Sequence, residues 1–325
     1  RRGGGDAPLL VATQSEQQQS QFVCQRILEL REEGVPLHEI AVLFRSSFHS
    51  FDLELELARR DIPFVKRGGF KFVESAHVKD VLAHLRVLAN PLDAVSWFRV
   101  LRLIDGVGPK TAVELTRDLG TASDPASLLE QARRGNRTEM AALAGLLRRT
   151  AEIRSPAEQV QTVTVYYDAL LKRTYPDDFP KRQRDLEQFA AIAARFASLE
   201  NLLADMALEP PGDAIGDGLA SDADDEGLLT LSTIHSAKGL EWHSVFLLWA
   251  LEGRFPSFYN LGKEDEMEEE RRLFYVATTR AKEKLYLSYP LNVFDRATGM
   301  VLGKPSRFVE EIPEEILRPV LVVEE

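Results

Sequence analysis

The sequence predicts an α/β fold in which a parallel-sheet domain is interrupted by an inserted all-helical domain. Near both ends of the chain, short apolar runs alternate with helix-period segments, which is the pattern of a parallel sheet covered by helices. Residues 93–208 instead contain helix-period segments and no convincing strand. We therefore expect a discontinuous sheet domain over 1–92 and 224–325, a helical insert over 93–208, and a flexible acidic linker over 209–223.

The first part of the sheet domain follows from apolar runs bounded by helix start and stop signals. Ser15 is expected to cap a helix and Gly34 to end it, and Asn90-Pro91 should stop the last helix of this part. In order, the expected elements are a strand over 8–13, a helix over 15–34, a strand over 39–46, a helix over 50–61, a strand over 62–69 and a helix over 75–91.

The same alternation resumes after the linker. The acids of "EDEMEEERR" (264–272) suggest a metal site by composition, but acids also favour the positive end of a helix dipole and pair with nearby arginines. We therefore expect a helix start there and no metal ligand. The predicted elements are strands over 228–235, 244–251 and 284–290, and a helix over 264–281.

Composition excludes several classes of protein. No apolar run approaches the roughly 18 residues of a membrane span, so no membrane partner is expected. The single cysteine, Cys24, excludes an internal disulfide framework and suits a reducing compartment. The net charge of −11 comes largely from the linker and the tail: residues 209–227 carry seven acids and no base, and 309–325 carry six acids and one base. Local basic patches remain possible elsewhere, so the charge does not exclude nucleic acid as a partner.

The stretch "TLSTIHSAKGLEW" (230–242) is the most informative. A buried strand leads into a loop that combines hydroxyl, imidazole, ammonium and glycine groups. In open α/β sheets ligands bind beyond the carboxyl ends of strands, and these groups suit phosphate or a nucleic-acid backbone. The alternative is an ordinary polar loop. The residues concerned are Thr233, His235, Ser236, Lys238, Gly239 and Glu241.

Two arginines add to this candidate site. Arg45 follows a predicted strand in "FRSS", and Arg280 follows the long predicted helix in "VATTRA". Taken singly, Arg45 would be a surface residue, and Arg280 would complement the dipole at the helix end. Because arginine pairs with phosphate oxygens through a planar fork and stays charged, we expect both arginines and the loop to converge on one edge of the sheet.

The insert contains "LRLIDGVGPKTAVEL" (101–115), a helix-hairpin-helix pattern. Its glycines, Gly106 and Gly108, let backbone amides approach a phosphate, and the second helix presents its N-terminus beside Lys110. The alternative is a plain glycine turn between two helices. The stretch does not satisfy the phosphate-loop rule G-x-x-x-x-G-K-[ST], and neither do the segments around Lys263 and Lys304.

These strings resemble a known family. The stretch 230–257 followed by "EEERRLFYVATTRAKEKLYLSYP" (268–290) resembles motifs V and VI of the UvrD/Rep/PcrA-type superfamily 1 DNA helicases. Residues 39–91 look like motif IV and the segment after it, and "IDGVGPKTA" (104–112) is similar to the glycine loop of the 2B subdomain. Trp242 stands where these helicases commonly carry phenylalanine, and the insert is short for a 2B subdomain.

The resemblance implies a RecA-like 2A subdomain, P-loop NTPase-like but without its own P-loop, interrupted by a helical 2B subdomain. It also implies that ATP and Mg²⁺ bind only with a 1A subdomain, whose Walker lysine and metal-binding acids are missing from this sequence. The chain is therefore expected to be a C-terminal half that is inactive alone. Its expected partners are single-stranded and forked DNA, an N-terminal 1A/1B half, and repair or replication proteins in the cytoplasm of a bacterium, associated with the nucleoid.

The resemblance also implies residue roles. Arg45 and Arg280 would be catalytic and face the γ-phosphate, Glu241 would bond the ribose, and Gly239 would place an amide near the phosphates. The residues implied to contact DNA are Thr233, His235, Ser236, Lys238, Gly69, Phe72, Gly106, Gly108 and Lys110.

The leading hypothesis is thus part of an ATP-dependent 3′-to-5′ DNA helicase. The alternative is a non-catalytic DNA-binding or protein-recruiting module that uses the helicase fold without ATP hydrolysis. A third hypothesis, a nuclease, would need a metal-binding acid cluster. The sequence offers only the acids at the start of the helix over 264–281.

Overall fold

A computed structural model describes residues 6–67, 72–131, 137–207, 227–260, 262–295 and 299–322. The chain divides into two compact units. The first unit contains the described residues up to Arg67 and from Gly227 onward, and the second is Phe72–Ala207.

The first unit is built on a parallel sheet, which confirms the predicted α/β class. Seven strands lie in the order β3-β4-β2-β5-β6-β1-β9, and every neighbouring pair is parallel. The strands of this unit are β1 (Leu9–Thr13), β2 (Ile40–Phe44), β3 (Phe64–Arg67), β4 (Leu229–Thr233), β5 (Trp242–Leu247), β6 (Ala281–Pro290), the antiparallel hairpin strands β7 (Val293–Asp295) and β8 (Met300–Leu302), and β9 (Arg318–Leu321).

Helices cover both faces of this sheet. Because side chains alternate along a strand, Val42 and Phe44 of β2 face one side and Ala41 and Leu43 the other. The first side packs on α1 (Glu16–Glu32) and α2 (Phe51–Arg59), and the second on α11 (Glu264–Thr278) and α12 (Arg307–Glu310).

The start and stop signals of the first helix are confirmed. The Ser15 hydroxyl accepts a hydrogen bond from the Gln18 amide at 3.1 Å, which satisfies one of the amides left free at a helix start. Gly34 has φ +92°, the left-handed conformation that commonly ends a helix and that glycine adopts without strain.

Every regular element described in the second unit is helical. Fully buried side chains such as Trp97, Tyr167 and Phe189 form its core. Its α-helices are α3 (Ala76–Ala89), α4 (Ala94–Arg102), α5 (Pro109–Thr121), α6 (Pro125–Glu130), α7 (Arg137–Ala151), α8 (Pro156–Thr174), α9 (Phe179–Ala193) and α10 (Leu199–Asp205).

The second unit begins earlier in the chain than residue 93, where the sequence predicted the insert to start. Helix α3 packs against α4, α8 and α9, so its apolar face is buried within the helical unit. Hydrophobic periodicity predicts that a helix buries one face, but it does not predict against which partner. The predicted linker over 209–223 lies outside the described residues.

Candidate functional site

The predicted site residues lie at two opposite edges of the sheet. Arg45 directly follows β2, so it lies at the carboxyl edge. Arg280 directly precedes β6, so it lies at the amino edge, where its carbonyl accepts a hydrogen bond from the Trp242 amide at 2.9 Å. The strands are parallel, and β5 alone, at about 3.3 Å per residue, places these edges on the order of 20 Å apart. The two arginines therefore start from opposite ends of their strands, and the expectation that both serve one nucleotide stays a prediction.

At the amino edge, backbone carbonyls hold the Arg280 side chain. Its Nε donates to the Val276 carbonyl, its Nη1 to the Leu240 carbonyl and its Nη2 to the Thr279 hydroxyl, each at 3.0 Å. A guanidinium has five N–H groups, so one on each Nη remains for another acceptor beyond the described residues. Among those residues no carboxylate pairs with Arg280, so its charge is not neutralised by an ion pair. This arrangement suits a phosphate that approaches from outside the chain.

Gly239 and Glu241 lie next to Arg280 along the same edge. Gly239 has φ +91°, and a Cβ built there would meet no atom within 4 Å. The glycine is therefore required by backbone conformation, and the space above it is open to a ligand. Glu241 is exposed and immediately precedes β5. The structure thus brings together three of the four residues expected at the nucleotide: Gly239, Glu241 and Arg280.

The loop from β4 to β5 connects the two edges. Two of its side chains, Ile234 and Ala237, are fully buried on the face of the sheet that carries α11. The intervening residues His235 and Ser236 are exposed, as are Lys238 and Gly239. Buried anchors at an i, i+3 spacing thus fix a tight series of turns and present the polar side chains to solvent.

The start of this loop forms the polar group at the carboxyl edge. The Thr233 hydroxyl donates to the Ser236 hydroxyl at 3.0 Å and accepts from the Ser236 amide. Partial burial and the nearby positive charge of Arg45 lower the pKa of His235, while Glu270 and Glu269 oppose that shift. The structure therefore brings Arg45 together with Thr233, His235 and Ser236.

Glu270 is a site residue that the sequence reasoning missed. Its side chain is 2% exposed, and its Oε1 accepts from Arg45 Nε at 2.9 Å, Arg45 Nη2 at 2.7 Å and Asn260 Nδ2 at 2.9 Å. The sequence offered one usable signal. Glu270 lies three residues before Leu273 and four before Phe274, so it falls on the buried stripe of α11, where an unpaired acid is costly.

Other buried polar groups stiffen the carboxyl edge. Lys66 and Glu54 form an ion pair at 2.7 Å with side chains only 1% and 5% exposed. His49 stacks on Trp249, whose indole N–H donates to the His49 carbonyl at 3.0 Å. Trp249 has φ +56°, an unfavourable conformation for a bulky residue, and the packing around it must stabilise this conformation. None of these groups was predicted from the sequence.

The glycine loop of the second unit has the predicted helix-hairpin-helix form. It joins α4 to α5, with Gly106 at φ +74° and Gly108 as the N-terminal cap residue of α5. Val107 is buried and its carbonyl accepts from Arg102, which fixes the loop from inside. Lys110 is exposed in the first turn of α5. The loop thus presents backbone amides and a lysine in the geometry expected of a phosphate contact.

Phe72 and Gly69 were also expected to contact DNA. The Phe72 side chain is fully buried and packs edge-to-face on Phe189, with ring centroids 5.5 Å apart. The ring therefore has no exposed surface to stack on a base, and the expected DNA contact of this residue stays a prediction. Gly69 lies outside the described residues.

The chain was compared with known proteins. The family model described as the UvrD-like helicase C-terminal domain matches residues 1–292. The chain belongs to this family. The resemblance carried by the motif strings is thereby confirmed, and the seven-stranded parallel sheet is the fold expected of such a C-terminal domain.

Curated relatives of this UvrD-like domain are helicases. The chain is 34% identical to DNA helicase II of Escherichia coli (strain K12), with 97% of the chain and 46% of the relative aligned. It is 31% identical to ATP-dependent DNA helicase PcrA of Leuconostoc citreum, with 97% and 44% aligned. A PcrA of Bacillus subtilis (strain 168) is 30% identical, with 92% and 43% aligned. The UvrD-like chain thus spans about half the length of the curated relatives it matches.

No helix among the described residues of the UvrD-like domain is both long and apolar enough to cross a membrane. The same residues contain no group of three or more histidine, cysteine, aspartate or glutamate side chains that could hold a metal ion. The acids at the start of α11 instead form ion pairs within the first turns of the helix: Lys263–Glu266, Arg271–Glu268 and Arg272–Glu269.

Proposed function

We propose that this chain is the C-terminal half of an ATP-dependent 3′-to-5′ DNA helicase, with a nucleotide edge and a DNA edge on opposite ends of one sheet. The observation that carries the proposal is Arg280, a charged guanidinium fixed by carbonyl oxygens beside Gly239 and Glu241. The relatives, named as DNA helicases, support the same assignment.

The residues of the amino edge fit a nucleotide held by another domain. When bound, ATP with Mg²⁺ would supply the phosphoryl group that is transferred to water. Arg280 directs its remaining N–H groups at the charge that develops on the phosphate oxygens, as arginine fingers do. Since carbonyl oxygens already hold the side chain in place, little reorganisation is needed when that charge develops. Gly239 allows close backbone approach, and the Glu241 carboxylate accepts from a ribose hydroxyl.

The residues of the carboxyl edge fit single-stranded DNA. Thr233, His235 and Ser236 at this edge, and Lys238 further along the same loop, offer short-range donors to phosphate and sugar, which position a strand without reading its sequence. We place Arg45 with this group and not with the nucleotide, because it follows Phe44, which pairs with Thr233 at the end of β4, and lies at the opposite edge from Arg280. In the second unit, Gly106, Gly108 and Lys110 form a second contact, to the duplex backbone of forked DNA.

The test is reassembly of the helicase. The purified chain should hydrolyse ATP only at background rate. Mixed with an N-terminal 1A/1B helicase half, it should restore hydrolysis that depends on single-stranded DNA. Arg280→Ala should abolish this hydrolysis, and the matched control Arg272→Ala should not, because Arg272 is 75% exposed and pairs only with Glu269 among the described residues.

Two results would reject the proposal. Hydrolysis by the purified chain itself, lost in Arg280→Ala, would show that the site is complete without an N-terminal half. Binding to forked DNA with no hydrolysis after reassembly would instead favour a non-catalytic DNA-binding module. A steep salt dependence of binding is expected of either function, so it does not discriminate between them.

A further inference from the structure

An exposed threonine links Arg280 to the end of α11. Thr279 is the C-cap residue of this helix and directly precedes Arg280. Its Oγ1 lies 2.9 Å from the Tyr275 carbonyl oxygen and 3.0 Å from the Val276 carbonyl oxygen. A threonine hydroxyl has one hydrogen and two lone pairs, so it can donate to these carbonyls and still accept a hydrogen bond.

Arg280 binds to the acceptor side of this hydroxyl. Its Nη2 donates to Thr279 Oγ1 at 3.0 Å. The other two acceptors of the guanidinium are the backbone carbonyls of Val276 and Leu240. Among the described residues, Thr279 therefore supplies the only side-chain acceptor of Arg280, and thus the only one that a single substitution removes outright.

The contact with Thr279 fixes the tilt of the guanidinium plane. The two carbonyls hold Nε and Nη1, which leaves rotation about the line that joins those two atoms. The hydrogen bond from Nη2 removes this freedom and so sets the direction of the N–H groups that remain on the two Nη atoms. A phosphate oxygen must meet such a group at a short distance and a nearly linear angle. Thr279 therefore helps to aim Arg280 at a phosphate.

A hydroxyl orients the arginine without cancelling its charge, whereas a carboxylate at the same position would neutralise it. The hydroxyl is itself held in place, because a threonine in a helix has few χ1 rotamers and Thr279 Oγ1 bonds the carbonyls three and four residues before it. Donation to these carbonyls also polarises the oxygen and makes it a better acceptor for Arg280.

We propose that Thr279 is a positioning residue that fixes the orientation of Arg280 for catalysis. This inference rests on the proposed function, because it assigns to Thr279 a role in that same nucleotide site. Thr279 acts through Arg280 and does not itself touch the nucleotide.

The test measures kcat and KM for ATP of the chain reassembled with an N-terminal 1A/1B helicase half, at saturating single-stranded DNA. Thr279→Val keeps the shape of the side chain and loses the hydroxyl. It should lower kcat by about tenfold or more, the contribution of one hydrogen bond to a charged group. The KM should change little, because the arginine acts on charge that develops in the transition state. Thr279→Ser keeps the hydroxyl and should restore most of kcat.

The neighbouring Thr278 offers a matched control. Its hydroxyl also donates to the Tyr275 carbonyl, at 3.1 Å, but Arg280 does not bind it. Thr278→Val should therefore leave kcat unchanged. If Thr279 only capped the helix, the two valine variants would have the same kcat, and thermal unfolding would show the same loss of stability in both.

A double-mutant cycle tests whether Thr279 acts through Arg280. Arg280→Lys keeps a positive charge but lacks the planar fork and its Nη2. In this background Thr279→Val should lower kcat no further, because the hydrogen bond that it removes is already missing. A further loss as large as that in the wild-type background would show that Thr279 acts independently of Arg280 and would overturn the inference.

The remaining outcomes separate the inference from the proposed function. A wild-type kcat in folded Thr279→Val overturns the inference and leaves the proposed function standing. If Thr279→Val does not fold, Thr279→Ala decides in the same assay, and a wild-type kcat there overturns the inference as well. If the wild-type assembly shows no ATP hydrolysis that depends on Arg280, the proposed function fails and the inference fails with it.

Discussion

The arginines at the two edges of the sheet are held in chemically different ways. Arg280 is bound by two backbone carbonyls and a hydroxyl, whereas Arg45 is bound by one oxygen of the buried Glu270 carboxylate. Carbonyl dipoles fix a guanidinium without cancelling its charge, but a carboxylate 2.7 Å away neutralises it. The comparison teaches that the hydrogen-bond partner of an arginine, more than its place in a motif, decides how much positive charge the arginine presents to a ligand.

The edges also differ in what supports them. The carboxyl edge contains a buried ion pair, Lys66–Glu54, and the buried stack of His49 on Trp249. The amino edge presents exposed groups on a backbone held by sheet hydrogen bonds. We therefore expect substitutions at the carboxyl edge to affect stability first, and substitutions at the amino edge to affect hydrolysis first.

The largest difference should appear when each arginine is removed. In the reassembled helicase, Arg280→Ala should lower ATP hydrolysis by about 10³-fold or more, as loss of an arginine finger does. Arg45→Ala should lower it less, because the Glu270 carboxylate already neutralises much of the charge that Arg45 would present to a ligand. Steady-state hydrolysis at saturating single-stranded DNA measures both. Equal losses in the two variants would contradict the assignment of the arginines to different ligands.

The next largest effect concerns stability at the carboxyl edge. Lys66→Met keeps most of the side-chain volume but removes the buried cation that pairs with Glu54, so the free energy of unfolding should fall by about 3–5 kcal/mol. Lys263→Met is the control, because its exposed pair with Glu266 should contribute less than about 1 kcal/mol. Denaturant unfolding measures both, and similar shifts of the midpoint would refute the contrast.

The stability of the fold should depend on pH through the buried His49 near the carboxyl edge. Complete burial, reinforced by Arg254 and Arg45, lowers the pKa of His49 well below its ordinary value of 6.5. The unfolded chain therefore binds a proton near pH 6.5 that the folded chain does not. The free energy of unfolding should decrease as the pH falls below 6.5, by up to about 1.4 kcal/mol per pH unit, and the stability should be fully present above that value.

The matched variants for this pH effect are His49→Phe and His38→Asn. Replacing His49 should flatten the curve of unfolding free energy against pH between pH 7 and pH 5. The exposed His38 should leave the curve as in the wild-type chain. A curve that keeps its full slope without His49 would show that other groups, such as His84, cause the pH dependence.

The smallest expected effect is a change in the salt dependence of DNA affinity, which tests where the DNA lies on the chain. Lys238→Ala should reduce the slope of log affinity against log salt for single-stranded DNA by about 0.7, the value of one phosphate contact. Lys282→Ala, at the amino edge where Lys282 pairs with Glu39, should leave the slope unchanged. Anisotropy titrations at several salt concentrations distinguish them. A reduced slope in Lys282→Ala would mean that DNA also reaches the start of β6.

Much of the fold was predictable because local patterns encode it. Strands β1, β2 and β4 are short apolar runs, and α1 carries its own cap at Ser15. The strand β9 was missed, because "RPVL" is short, contains Pro319 and precedes an acidic tail. The β7–β8 hairpin was missed for a similar reason, since each of its strands has only three residues.

The candidate site was predictable only in part. Gly239, Glu241 and Arg280 were identified from their motif strings, and the structure brings them together at one edge. Phe72 was assigned to DNA from the family resemblance, yet its ring is buried against Phe189, more than a hundred residues later in the chain. The motif string suggested a role for Phe72, but only the packing on Phe189 shows that its ring is buried.

The sequence alone therefore determined the α/β class with its helical insert, the family, and the identity of most polar residues in the loops. Only the tertiary structure decided which edge each arginine occupies, that Glu270 neutralises Arg45, and that α11 contacts both edges. The physical reason is the separation along the chain over which each kind of signal acts. Periodicity, caps and motif strings arise within about twenty residues, but the contact of Arg45 with Glu270 joins positions 225 residues apart and exists only because the sheet brings them together.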